Sequence, residues 1–283
     1  MLTEKKESRQ PKIDLLVKWI MFTAAICSMA VLSAYYPLQA NIPLIVVPSI
    51  LVLIFSKPVF FEKLKLTTLV TMRILIIFAA LSILPKQFYV NLILIMLIVN
   101  IMEATLTDII KYKRYFNGIS GLALAVGVLA LSGHWSETAP VGNFYVVGGV
   151  GTAATLCYII AYTIWNWIFV TNEFSSSVSL MHVGFLSAPI IGSVATLWMG
   201  PAAGLGLWLL LRANSLAIGG WMQIASKGWF EKEFYSERFE KFVAWTKKTP
   251  VQIVLMIVNL ALMGYCIYAA ASTGSFRFPN PFV

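Results

Sequence analysis

Charge is what this sequence has least of. Asp, Glu, Lys and Arg make up 12% of its 283 residues, about half the share usual in a soluble domain. Histidine occurs twice, at His134 and His182. Cysteine occurs three times, at Cys27, Cys157 and Cys266, each alone in an apolar run. An odd count without CxxC spacing gives no basis for a disulfide framework or a structural zinc site. HExxH is missing, and the remaining His, Cys and carboxylate residues are too few and scattered for a catalytic zinc or di-iron centre. No cofactor is therefore expected. A Walker A sequence is also lacking, so ATP is not hydrolysed by that route. The last apolar run has no lysine for a rhodopsin-like Schiff base. The aspartate-rich motifs of membrane prenyltransferases and the paired glutamates of CAAX-type proteases are absent too. Between apolar runs, no stretch is long enough to fold as a soluble domain.

What fills the chain is hydrocarbon. Hydrophobic residues account for 59% of it, and its mean hydropathy is +0.81. Folded in water, such a chain would leave far more apolar surface than it can hide, so the bilayer is its natural solvent. Runs of spanning length fall at about 14–36, 41–56, 67–85, 88–111, 118–134, 144–171, 177–199, 202–226 and 251–273. Lipid cannot satisfy free backbone groups, so each span is expected to be helical. The fold class expected is an all-α integral membrane protein, a polytopic bundle of about nine helices. The run 41–56 is short and contains Pro43 and Pro48, which leaves a kinked span, a re-entrant hairpin or an eight-span bundle open. Glycines at 118, 121 and 127, glycines at 148, 149 and 151, and the small residues Ala203, Gly204 and Gly206 suit close helix packing.

The net charge of +9 comes in short clusters between these runs, at 5–18, 57–65, 111–114 and 227–248. That distribution signals topology and gives no basic domain for nucleic acid. With nine spans and the N-terminus inside, all but four of the 21 Lys and Arg fall on the cytoplasmic side. The exceptions are Arg73, Lys86, Arg212 and Arg277. The positive-inside rule then puts the N-terminus in the cytoplasm and the C-terminus outside. Leu32 and Leu38 occupy the −3 positions of possible cleavage sites, so the first run reads as an uncleaved span behind a basic tail, 1–13. External segments carry no N-x-S/T acceptor, which suits a bacterial inner membrane. The stretch 227–250 mixes aromatics with Lys and Glu, as an interfacial helix or loop on the cytoplasmic face would.

Function is sought in the polar residues inside the spans. Asn100, Glu103 and Thr107 fall within about 60° on one helix, while Asp108 stands nearer Lys111, Lys113 and Arg114. Arg73, on the preceding antiparallel span, is expected at the depth of Glu103 and as its ion-pair partner, because a lone charge in lipid is costly. Thr155, Tyr158, Tyr162 and Asn166 form a second stripe within about 80°, joined by Glu173 if the helix continues. His182 enters the next span with Ser179 and Pro189 on its side, and Arg212 is the deepest cation, sharing a face with Trp208 and Ser215. Together these predict a polar cavity open to the cytoplasm and closed outside. Its occupant is expected to be a small molecule, an ion or a lipid. A transporter, flippase or channel is the leading reading. A membrane enzyme on a lipid or isoprenoid is the alternative, with Glu103 and Glu173 as acid and base, His182 assisting, and Tyr158, Tyr162 and Trp165 lining the pocket. A non-catalytic subunit of a membrane complex, or a homo-oligomer, also fits.

Overall fold

A computed structural model describes residues 12–138, 142–199 and 204–281. The expected tail 1–13 lies outside these up to residue 11, as does Ala203. Chain order begins with α1 (Lys12–Tyr35), then α2 (Pro37–Asn41) and α3 (Val47–Phe55), joined by a π-helical turn, Ile42–Val46, into one rod. Proline removes a backbone donor and crowds the preceding turn, and the wider π turn takes in Pro43 just ahead of Pro48. All but the last residue of the stretch 41–56 thus lies in one continuous rod, Pro37–Phe55. Helix α4 (Phe60–Ala80) opens on a backbone N–H of Val59 that donates to Glu62 Oε2 at 3.1 Å. Helix α5 (Lys86–Leu106) continues as a π turn to Lys111, and α6 (Tyr115–Gly127) as a tight turn to Ala130. After α7 (Gly151–Glu173) come α8 (Ser176–Ala195), α9 (Trp208–Glu233), α10 (Glu237–Thr246) and α11 (Thr249–Ser272). Helix α9 bends at Ser226, where φ is −130°.

Six of these rods are long and apolar enough to cross a membrane: Asp14–Tyr35, Pro37–Phe55, Lys86–Lys111, Gly151–Glu173, Ser176–Ala195 and Thr249–Ser272. This is the make-up of a multi-pass membrane protein. Their outward faces carry the exposed apolar side chains, such as Ile20 and Met21 on α1 and Val254, Ile257 and Tyr268 on α11.

Helices α4 to α9 pack in succession, and α9 returns to α4, so the six close a ring. Helix α1 covers α8 and α9 from outside, the α2–α3 rod lies against α4 and α9, and α11 lies against α6 and α7. The ring is tight at Gly121, where an added Cβ would stand 2.8 Å from Trp165 Nε1 of α7 and also strike Thr105 Oγ1 of α5.

The bundle is helical as expected, but two boundaries within it differ from expectation. First, Ser132–Thr138 (β1) and Gly142–Gly148 (β2) form an antiparallel hairpin with Ser132 opposite Gly148. The run 144–171 therefore divides, strand first, with its helix starting at Gly151. Aromatic and β-branched residues bounded by glycine favour a strand here. Gly151 then takes φ +79°, a left-handed turn that glycine adopts without strain. Second, α4 begins at Phe60 rather than 67, because Lys63 and Lys65 lie within the helix. Arg73 consequently sits about 20 Å from that end rather than 9 Å.

The two ends of the ring differ in chemistry. At one lie the turns after α3, α5 and α7 together with α10, where the basic clusters gather. At the other, the hairpin packs Phe144 against Tyr35 at 5.0 Å and Tyr145 against Tyr89 at 5.8 Å. Its β1 strand is tied to the start of α5 by a Lys86–Glu137 ion pair and by Gln87 Nε2 donating to the Gly133 carbonyl at 3.1 Å. The stretch 227–250 resolves into the end of α9, the amphipathic α10 and the start of α11. On α10, Phe239 meets Trp167 of α7 edge-on at 5.8 Å, Phe242 meets it tilted at 5.9 Å, and Trp245 stacks on Phe242 at 5.8 Å.

Candidate functional site

At the basic end the ring encloses a cavity lined by α4, α5, α7, α8 and α9. The centre of a water molecule can reach about 110 Å³ of it. That is room for roughly four waters at their share of about 30 Å³ each in the liquid. Its wall on α9 runs from Arg212 to Ile224, about 18 Å at 1.5 Å per residue. Five residues picked out from sequence meet in it: Asn100, Tyr162, Asn166, His182 and Arg212. Lys65, Glu62 and Gln223 join them, with Phe169, Phe174 and Phe185 among the apolar walls.

Arg212 marks the inner end. It is 3% exposed, with Nη2 donating to Asn166 Oδ1 at 3.4 Å and its guanidinium 5.9 Å from the centre of the Tyr162 ring. Its Nε and Nη1 are buried with no partner in the protein. Among the described residues no carboxylate forms a salt bridge with it. Toward the basic end, half-buried Lys65 reaches over the Phe169 ring at 5.9 Å. Along the side wall, the His182 ring stacks on Phe174 at 4.9 Å and meets Phe185 edge-on at 5.3 Å. Its Nε2 lies 2.8 Å from Gln223 Oε1, and its Nδ1 is buried without a partner.

Five sequence candidates lie elsewhere. Arg73 is not paired with Glu103. Its Nη1 donates to Asn214 Oδ1, and its Nη2 donates to the Tyr89 hydroxyl at 3.2 Å, which itself donates to the Met72 carbonyl at 3.1 Å. The early start of α4 moves Arg73 toward the hairpin end, opposite Tyr89 rather than Glu103. Glu103 lies on an exposed face of α5 and does not line the cavity. Tyr158 is buried above the cavity with its ring 6.4 Å from Trp208, and Thr155 is spent on the turn into α7, accepting from the Gly149 N–H at 2.9 Å.

Glu173 ends α7 at the basic surface. It accepts from the Tyr112 hydroxyl at 3.1 Å and lies 4.0 Å from Arg114. Beside it, Asp108 is fully buried and pairs with Arg114 at 3.3 Å rather than with Lys111 or Lys113. Asn117 Nδ2 also donates to Asp108, at 2.6 Å. This knot fastens α5 to α6 and holds Asp108 and Glu173 off the cavity walls.

The arrangement offers a forked cation in a pocket with largely apolar walls. Such chemistry suits an anion: planar guanidinium donors match carboxylate or phosphate oxygens, and burial strengthens the attraction. No protein-family model, no curated protein and no solved structure matches the chain.

Proposed function

We propose that this protein is a carrier that binds a small anionic ligand in its cavity and moves it across a bacterial inner membrane. The observation that carries the reading is Arg212, a buried cation that lines the cavity, with two N–H groups that meet no protein partner and, among the described residues, no carboxylate in a salt bridge with it. An unneutralised charge at this depth is costly, and ionisable residues inside spans mark substrate and ion pathways. In this reading the chain crosses nine times, with the N-terminus in the cytoplasm and the C-terminus outside. The positive-inside rule supports it, since the basic turns gather at the end of the ring where the cavity lies. Tyr158, Trp208 and the hairpin fill the other end, which suits a carrier resting inward-facing. The enzyme reading lacks its acid–base pair, because Glu103 and Glu173 lie off the cavity walls.

Counterflow in proteoliposomes tests this. Vesicles preloaded with octanoate should accumulate labelled octanoate, and vesicles bearing Arg212→Gln should not. Equal counterflow by both proteins refutes the role of Arg212. Chemical conversion of the probe without accumulation makes the protein an enzyme.

A further inference from the structure

The side wall of the cavity says more about the ligand than its charge. Gln223 Oε1 only accepts hydrogen bonds, so the 2.8 Å contact puts the imidazole proton on Nε2 of His182. Nδ1 is then an acceptor, held in place by the stacked Phe174 ring and left without a partner in a residue 7% exposed. A buried acceptor left unmet is unfavourable, and what meets it must bring a donor. His182 faces Gln223, which follows Arg212 on α9 by about 16 Å of helix rise. Between the two ends the walls are Phe169, Phe185, Leu216 and Leu66, which an inorganic anion would leave facing water.

We propose that the ligand is a free amphipathic organic acid with a hydroxyl or amide N–H at the far end of its apolar body. Its acid group sits on Arg212, its body lies along the aromatic wall, and its donor meets His182 Nδ1. This assignment rests on the reading of the cavity as an anion site. The reachable volume suits one short body rather than a two-chain lipid.

The test compares two probes that differ by one hydroxyl, octanoate and 8-hydroxyoctanoate. Each is titrated calorimetrically into the purified full chain in dodecyl maltoside, with phosphate, chloride and lysophosphatidate as competitors. The hydroxylated acid should bind about fivefold tighter, the yield of one net hydrogen bond, and the difference should vanish in His182→Phe, which keeps a ring on Phe174. Should that variant fail to fold, the wild-type pair still decides, since equal affinities there overturn the donor contact. Binding of phosphate or chloride but of neither acid overturns the organic class and leaves the anion site standing. Displacement of 8-hydroxyoctanoate by a lower concentration of lysophosphatidate overturns the free acid in favour of a lipid head group. Absence of binding by every anion overturns the anion site itself.

Discussion

The shape of the cavity depends on one glycine outside it. At Gly219 of α9 an added Cβ would stand 2.6 Å from Cδ2 of Phe185 and closer still to its Cε2 and Cζ. Carbon atoms rest at about 3.5–4.0 Å, so Gly219→Ala obliges the ring to retreat by roughly 1 Å. Phe185 has little freedom to do so, with Phe22 at 5.5 Å on one side and His182 at 5.3 Å on another. The open direction is the cavity, which Phe185 lines. Overpacking of this kind costs about 1–3 kcal/mol, and here the loss should appear twice. Thermal unfolding in detergent should show Gly219→Ala destabilised by that amount, and titration with 8-hydroxyoctanoate should show weaker binding by the same preparation. Adding Phe185→Leu should restore part of the stability, because the smaller side chain leaves room for the new methyl, and neighbouring changes of this kind are not additive. Wild-type stability and affinity in Gly219→Ala, or strict additivity in the double variant, would refute the wedge.

Arg212→Met should bind no anion yet unfold at the same or a higher temperature than the wild type, because it removes a buried charge with no carboxylate partner; a large loss of stability would make Arg212 structural. Arg73→Leu leaves Asn214 Oδ1 unmet and should cost about 1–3 kcal/mol in thermal unfolding. Exchanging the charges of Arg73 and Glu103 should not recover that loss. Asp108→Asn should destabilise by about 1–3 kcal/mol, whereas exposed Glu103→Gln should stay within about 0.5 kcal/mol. The reverse order would contradict the burial of the two carboxylates. In a cysteine-free background, an impermeant maleimide added outside intact cells should label His134→Cys and reach Lys241→Cys only after permeabilisation; the opposite pattern would invert the topology.

How far the sequence disclosed this arrangement depended on contrast. Arg212, Asn166, Tyr162, His182 and Asn100 interrupt apolar runs, so they stood out as residues that lipid would reject, and all five line the cavity. Lys65, Glu62 and Gln223 did not stand out. They lie where an apolar run begins or ends, and there a polar residue is indistinguishable from an ordinary loop signal. Phe169, Phe174 and Phe185 carry no signal of position at all, since every span is rich in such residues. The Arg73–Glu103 pair failed for the same reason as Lys65: taking the charges at 63 and 65 as loop shortened α4 by two turns and shifted every depth along it. The hairpin was hidden because Phe144 to Val147 are as apolar as a span and run straight into one. Its glycine borders were the available signal, read instead as packing contacts.

The Arg73–Asn214 bond also bears on how the protein is made. Its partners are 141 residues apart, and ribosomes add about 5–20 residues per second. Arg73 thus enters the membrane roughly 7–28 s before Asn214 exists, an interval set by that elongation rate. Tyr89 follows Arg73 by 16 residues and is the first neighbour able to accept from it. During that interval the cation must be sheltered by water or by the insertion machinery, because the ring does not close until α9 arrives. The step that delivers α9 therefore both completes the cavity and releases the nascent chain from its most exposed moment.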